Sequence, residues 1–174
     1  RNAAALLRAG ARGVAEGAPG LRPPILIHHD AGGDAAACRR FFTRLLAAGA
    51  PCDVIGVSFY PWWHGGLDEL AGNLSELAAA FDRDVMVVET AYPWTLAALD
   101  DVHNLVGLQS QLHPGFPATP AGQAAFLQRL AALVRDAPRG RGVFVWAPDW
   151  VSTQHLGSAG ENLALFDGNG HLLP

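Results

Sequence analysis

The sequence has no lysine: all 12 of its basic residues are arginines, set against 16 acidic residues for a formal net charge of -4. No basic run or stripe offers a phosphate-binding face, which argues against a nucleic-acid partner. Heavy alanine and glycine usage accompanies the missing lysine and reads as genome composition rather than function. Charge is sparse at 16%, while half of the 174 residues are hydrophobic. That balance excludes a disordered chain and is enough for one domain with a sizeable core. No apolar run approaches the roughly 18 residues needed to span a bilayer, so no membrane segment is expected. Only Cys38 and Cys52 are present. Their spacing matches no zinc or redox motif, and two free thiols are expected. Neither a signal-peptide pattern nor an initiator Met is found. The chain opens at Arg1 inside a helical pattern and reads as a piece of a longer polypeptide.

What is there alternates. Residues 1–17 read as a helix. Ile25-Leu-Ile-His28 is a short buried strand, and Asp34 caps a helix over roughly 35–48. Asp53-Val-Ile-Gly-Val-Ser-Phe59 is a second strand, followed by an aromatic loop, Tyr60-Pro-Trp-Trp-His-Gly-Gly66, and a helix from Leu67 to Phe81. Residues 84–89 form a third strand. Its Val85, Met86, Val87 and Val88 predict burial on both faces. A proline-rich loop of about 25 residues is long enough to suggest function. Thr119-Pro120 then opens a helix to about 136. Arg141-Gly-Val-Phe-Val-Trp146 is a fourth strand, and 147–174 is a loop-rich tail. Strands one to three begin about 30 residues apart, the length of a βα unit. The pattern predicts an α/β fold with a parallel sheet. Chemistry-bearing residues collect where the strands end: His28, His29 and Asp30; Ser58, Tyr60, Trp62 and Trp63; Glu89, Tyr92 and Trp94; Trp146 and Asp149. That asymmetry is the functional face of a β/α barrel. Four strands make about half of an eight-stranded one.

Glu89 ends the third strand and is open to two readings, a surface capping residue or a catalytic carboxylate held rigidly by its strand. Beside Tyr92 and Trp94 it suggests sugar chemistry, because indole and phenol rings stack on the apolar faces of sugars. Retaining glycosidases pair such a nucleophile with a second carboxyl about 5–5.5 Å away. Tyr60, Trp62, Trp63 and His64 read as substrate contacts or as a hydrophobic plug over the sheet end. Trp146 could floor a sugar site or close the core. His28 and His29 are adjacent on a strand, so they point to opposite faces and cannot easily share a metal. One of them lining the pocket, as partner to a carboxylate or a sugar hydroxyl, is the better reading. Asp30 and Ser58 lie at the same edge and join the substrate-binding set. Asp101, His103 and Asn104 offer oxygen and nitrogen ligands for calcium, or simply form a solvated loop.

Three stretches carry a resemblance: Asp53-Val-Ile-Gly-Val-Ser-Phe-Tyr-Pro-Trp-Trp-His-Gly-Gly66, Val87-Val-Glu-Thr-Ala-Tyr-Pro-Trp-Thr95 and Phe116-Pro-Ala-Thr-Pro-Ala-Gly-Gln-Ala-Ala-Phe126. With the tail Glu161-Asn-Leu-Ala-Leu-Phe-Asp167, they resemble glycoside hydrolase family 53, the arabinogalactan endo-β-1,4-galactanases. The resemblance covers nearly the whole chain. It implies the second half of a (β/α)8 barrel, strands five to eight of a single catalytic domain. It also implies a retaining endo-hydrolase of β-1,4-galactan, with Glu89 as nucleophile. The family's acid/base glutamate follows a Gly-Asn pair; Gly72-Asn73 here is followed by Leu74, so that residue is expected upstream of Arg1. Trp146-Ala-Pro148 replaces the family's usual Trp-Glu-Pro. Some bacterial members bind calcium through a longer Asp-rich loop, of which Asp101, His103 and Asn104 resemble a shortened remnant; no other cofactor is implied. The resemblance further implies a secreted, monomeric parent acting on galactan and arabinogalactan, with this chain alone inactive. A carbohydrate-binding barrel without chemistry, or a mannanase- or xylanase-like hydrolase, are the alternatives.

Overall fold

The computed structural model describes residues 2–174. Helix α1 (Asn2–Gly17) leads to strand β1 (Leu26–His29) and helix α2 (Ala35–Ala47). Strand β2 (Val54–Ser58), the short helix α3 (Pro61–His64) and helix α4 (Leu67–Phe81) follow. Strand β3 (Asp84–Thr90), helix α5 (Pro120–Asp136) and strand β4 (Gly140–Val145) complete the alternation. The four strands are parallel and lie in sequence order. This is the α/β half-barrel topology that the sequence predicts.

Local chemistry sets the helix ends. Asp34 accepts a hydrogen bond from the Ala37 amide at 2.8 Å, and Thr119 accepts one from Gly122 at 3.0 Å, each satisfying an orphan donor of the first turn. Pro120 stands at the first position of α5, where its missing N–H costs nothing. Gly32 and Gly33 connect β1 to α2 so closely that a Cβ on Gly32 would meet the Ser58 carbonyl, and one on Gly33 the His64 carbonyl. The β1–α2 turn therefore seats directly against the end of β2 and α3.

One face of the sheet is packed and the other is open. Ile55, Val57, Val85 and Val87 are fully buried against Phe42, Leu70, Leu74, Leu77, Phe126 and Leu130 of the helices. Met86 and Val88 point the other way and are only half-buried, which corrects the expectation that β3 is covered on both faces. Their face is shared with Leu26 and Gly56; a Cβ on Gly56 would meet the side chains of Leu26 and Val88. Phe144, next in alternation to Gly142 beside Met86, is 58% exposed. This open face corresponds to the interior of a closed barrel, and its strands are the ones that a barrel's remaining staves would cover.

The tail is ordered by polar anchors rather than by periodicity. Gln123 of α5 donates to the carbonyls of Tyr92 at 2.8 Å and Ala164 at 3.0 Å. Asn162 donates to Thr95 at 2.7 Å and to Val106 at 2.8 Å. The loop after β3 and the tail are thus stitched into one layer over the C-terminal edge of the sheet. Cys38 and Cys52 are both buried free thiols; Cys38 donates to the Ala31 carbonyl, and burial pushes its thiol up from the ordinary value. Among the described residues, no helix is long and apolar enough to cross a membrane.

Candidate active site

A bulge aims the central carboxylate. Val57 of β2 pairs with Val87 of β3, but the next residue, Ser58, pairs with Glu89 rather than Val88. The β3–β4 register slips over the same residues, from Val87 opposite Val143 to Thr90 opposite Val145. Strict alternation would send Glu89 toward the helices, because Val88 already occupies the open face. The extra residue resets the phase, and Glu89 joins His28 and Ser58 on the open face. Bulges at sheet ends re-aim side chains in this way.

Three groups meet Glu89. Ser58 Oγ and the Tyr60 hydroxyl each donate to Glu89 Oε2 at 3.2 Å. His28 Nε2 lies 2.7 Å from Ser58 Oγ, and its Nδ1 lies 3.9 Å from Glu89 Oε1. Burial, and then the neighbouring Glu89 charge, push the Tyr60 phenol well above its ordinary value, so it stays a donor. His29, on the opposite face, stacks on Phe41 of α2 at 4.3 Å between ring centroids. The two histidines are separated as strand geometry requires.

Beside Glu89 runs a trough of about 350 Å³ walled by Tyr60, Trp63, Leu105, Trp146, Trp150 and Leu163. Trp63, Trp146 and Trp150 expose 58%, 47% and 55% of their surface. Trp63 stands edge-on to Tyr60, and Trp150 edge-on to Trp146. Glu89 is the only acid among the described residues that line the trough. Gly160 lies under Trp150, where a Cβ would press on the indole at 3.0 Å. Ala147 lines the trough in left-handed backbone, with φ of 45°.

Several expected substrate contacts sit elsewhere. Tyr92 is fully buried, stacked on Phe126 at 4.2 Å, and its hydroxyl donates to Phe116 O at 2.6 Å and accepts from His113 N at 3.0 Å. It closes the core instead of meeting solvent. Trp62 packs with Tyr60, Ala91, Val106 and Leu163, behind the wall that its neighbour Trp63 contributes, and does not itself line the trough. Trp94 is half-buried and fastened through its backbone to Asn162 O at 2.9 Å. His64 Nδ1 accepts from the Tyr60 amide at 3.0 Å and so holds α3 closed; burial lowers its pKa below the ordinary value. Asp30 is exposed, 3.4 Å from His29.

The loop residues expected for calcium do not converge. Asp101 and His103 stand in solvent, while Asn104 donates to the Ala97 carbonyl at 3.0 Å. Among the described residues, no group of three His, Cys, Asp or Glu side chains could hold a metal ion. Asp100, the first residue of the Asp100–Asn104 stretch, and Glu161, the first of the tail motif, take structural roles instead. Asp100 accepts from Ser152, Val102 and Ser158, and these hydrogen bonds hold its carboxyl below the ordinary value. Glu161, fully buried, accepts from the Leu99 amide at 2.5 Å, and its Oε2 lies 2.5 Å from Ser152 Oγ, whose one proton goes to Asp100. The sequence reading passed over Trp150 and Leu105. Trp150 carried a legible signal, a second indole four residues after Trp146; Leu105 carried none.

A parallel sheet that gathers a donor-held carboxylate and an indole-walled trough at its C-terminal edge has the arrangement of the functional face of a β/α barrel. Comparison with known proteins narrows the class. The sequence matches Glycosyl hydrolase family 53 over residues 1–174. The arabinogalactan endo-beta-1,4-galactanase of Cellvibrio japonicus is 44% identical over 121 residues, covering 66% of this chain and 32% of its own length. A probable arabinogalactan endo-beta-1,4-galactanase A of Aspergillus terreus is 37% identical over 175 residues, covering 97% and 48%. The family 53 catalytic domain of Ignisphaera aggregans superposes with a TM-score of 0.87 at 34% identity, covering 98% of this chain and 49% of its own. The chain belongs to glycosyl hydrolase family 53, and its sheet is about half of a TIM barrel. It spans half or less of the length of these relatives.

Proposed function

We propose that the polypeptide carrying these residues is an endo-β-1,4-galactanase acting on arabinogalactan by a retaining, double-displacement mechanism, with Glu89 as nucleophile. The observation that carries the reading is the bulge at Val88–Glu89. It sets a strand-held carboxylate, gripped by Ser58 and Tyr60, beside a trough lined with indole rings. Glu89 attacks the anomeric carbon, and the glycosidic oxygen leaves with a proton from a second carboxylic acid. No second acid lines the trough among the described residues, so that proton donor comes from elsewhere in the complete polypeptide. Trp63, Trp146 and Trp150 stack on the galactose rings and exclude water around the reacting bond. A polymeric substrate places the working enzyme outside the cell, acting as a monomer on the galactan chain.

The test is Glu89→Gln in the complete polypeptide, with release of reducing ends from β-1,4-galactan as the readout. The expected loss is at least a thousandfold in kcat, with galacto-oligosaccharide binding retained. Turnover near the wild-type rate would contradict the assignment. A binding-only barrel would show no galactan release before the substitution either.

A further inference from the structure

We infer that His28 and Ser58 are positioning residues that hold Glu89 by Oε2 and leave Oε1 as the attacking oxygen; the inference rests on Glu89 being the nucleophile. The argument is a count of protons. Glu89 Oε2 receives two donors, Ser58 Oγ and the Tyr60 hydroxyl, both at 3.2 Å. Among the described residues, Oε1 has only His28 Nδ1, at 3.9 Å, beyond hydrogen-bonding range. A donated hydrogen bond draws electron density from the oxygen that accepts it, so the unbonded Oε1 is the better nucleophile.

Ser58 has one hydroxyl proton and two neighbours, Glu89 Oε2 and, at 2.7 Å, His28 Nε2. A carboxylate can only accept. If Ser58 gave its proton to His28, oxygen lone pairs of Ser58 and Glu89 would face each other. The proton therefore goes to Glu89, and His28 must donate from Nε2 to the Ser58 oxygen. The ionised carboxylate thus selects one state of a ring two bonds away. The other titratable groups about this chain are Tyr60, from the β2–α3 connection, and, further out, His64 and Asp30. Trp146, from the end of β4, adds an uncharged wall.

The arrangement assigns each step. Oε1 bonds to the anomeric carbon as the bond to the glycosidic oxygen breaks, and that oxygen takes its proton from the second carboxylic acid. Water then bonds to the anomeric carbon and gives a proton to the resulting carboxylate, while Glu89 leaves with its electron pair. In the ester, Oε2 is a neutral carbonyl oxygen; as Glu89 departs, Oε2 regains charge and its two donors strengthen. Ser58 therefore assists the second step and opposes the first, because its hydrogen bond to the free carboxylate weakens as the ester forms.

In the complete polypeptide, Ser58→Ala is expected to lower kcat about tenfold and to lower KM with it, because the covalent intermediate accumulates. Ser58→Thr, which keeps the hydroxyl on a β-branched side chain, restores most of the rate. Nitrogen-15 NMR of His28 should show the proton on Nε2 in the wild type and lose that preference in Ser58→Ala. A fall in kcat/KM without a fall in KM would mark plain structural damage and overturn the inference, as would an unchanged kcat or a His28 proton on Nδ1. Glu89→Gln separates the two claims. Retained turnover there removes the nucleophile itself, whereas inactive Glu89→Gln with an unaffected Ser58→Ala removes only the relay.

Discussion

Around Glu89, each side chain has a distinct task set by its immediate partners. Tyr60 grips the carboxylate, Trp63 lines the trough, and His64 ties the helix that carries Trp63 to the Tyr60 amide at its start. His64 does so as an acceptor through Nδ1, which only the neutral ring can be. Burial holds its folded pKa below the ordinary 6.5. Between the two values the unfolded chain binds more protons than the folded one. The histidine's contribution is therefore present above 6.5 and lost as pH falls through the lowered value. Acidification should loosen α3 before the core, seen as a fluorescence change from Trp62 and Trp63. His64→Ala should remove that acid transition at a cost of about 1 kcal/mol, the price of a lost backbone hydrogen bond. A transition that persists in the variant would assign it to another group. At this scale the sequence was partly legible. The aromatic, hydroxyl and carboxylate types at the strand ends were all visible. Which of Trp62, Trp63, Tyr92 and Trp94 line the trough was not, because a one-turn helix at Pro61–His64 and the bend at Trp94 decide it.

Among the elements, β3 and the two segments that cross its end determine the site. The bulge in β3 leaves no mark in the run Val85–Glu89, since apolar residues on both sides of the slip read the same in either register. The lid over the trough is likewise built from contacts without sequence periodicity. Leu105 donates to Ala159 O at 2.8 Å, and Leu99 donates to the buried Glu161. Ser152 links Glu161 to Asp100. Glu161 is therefore the rivet between the loop after β3 and the tail. Replacing it with Ala leaves the Leu99 amide without its acceptor and should cost about 2–3 kcal/mol. Thermal unfolding would measure the loss. Hydrogen exchange should show faster opening at Leu99 and Leu105 but not in β2. Unchanged protection at those amides would contradict the rivet. A second element-level test is Gly33→Ala, whose Cβ collides with the His64 carbonyl. It should displace α3 and weaken galactan binding in the complete polypeptide while the helical core survives; undiminished binding would show that the turn has room to give.

For the molecule as a whole, the sheet has two free edges and an open face. Among the described residues β1 and β4 each pair on one side only, and Phe144 of β4 stands exposed on the open face. The alternation of strands and helices, their order and their parallel sense were readable from hydrophobic pattern and turn chemistry, because each βα unit is specified locally. The exposure of the second face was not, since apolar strand residues look the same whether a barrel closes over them or stands open. The isolated 174-residue chain should self-associate through these edges in sedimentation experiments; a stable monomer at high concentration would show that the edges are protected. It should also release no reducing ends from galactan, and measurable hydrolysis by the chain alone would show that it holds both carboxyls it needs. The central claim concerns Glu89 in the complete polypeptide. It is tested most directly by trapping the covalent intermediate with a 2-deoxy-2-fluorogalactoside that carries an activated leaving group, followed by mass spectrometry of the digested protein. The account predicts one added sugar, on the Glu89 side chain. A sugar attached to any other residue would contradict it, and so would galactan hydrolysis with inversion at the anomeric carbon.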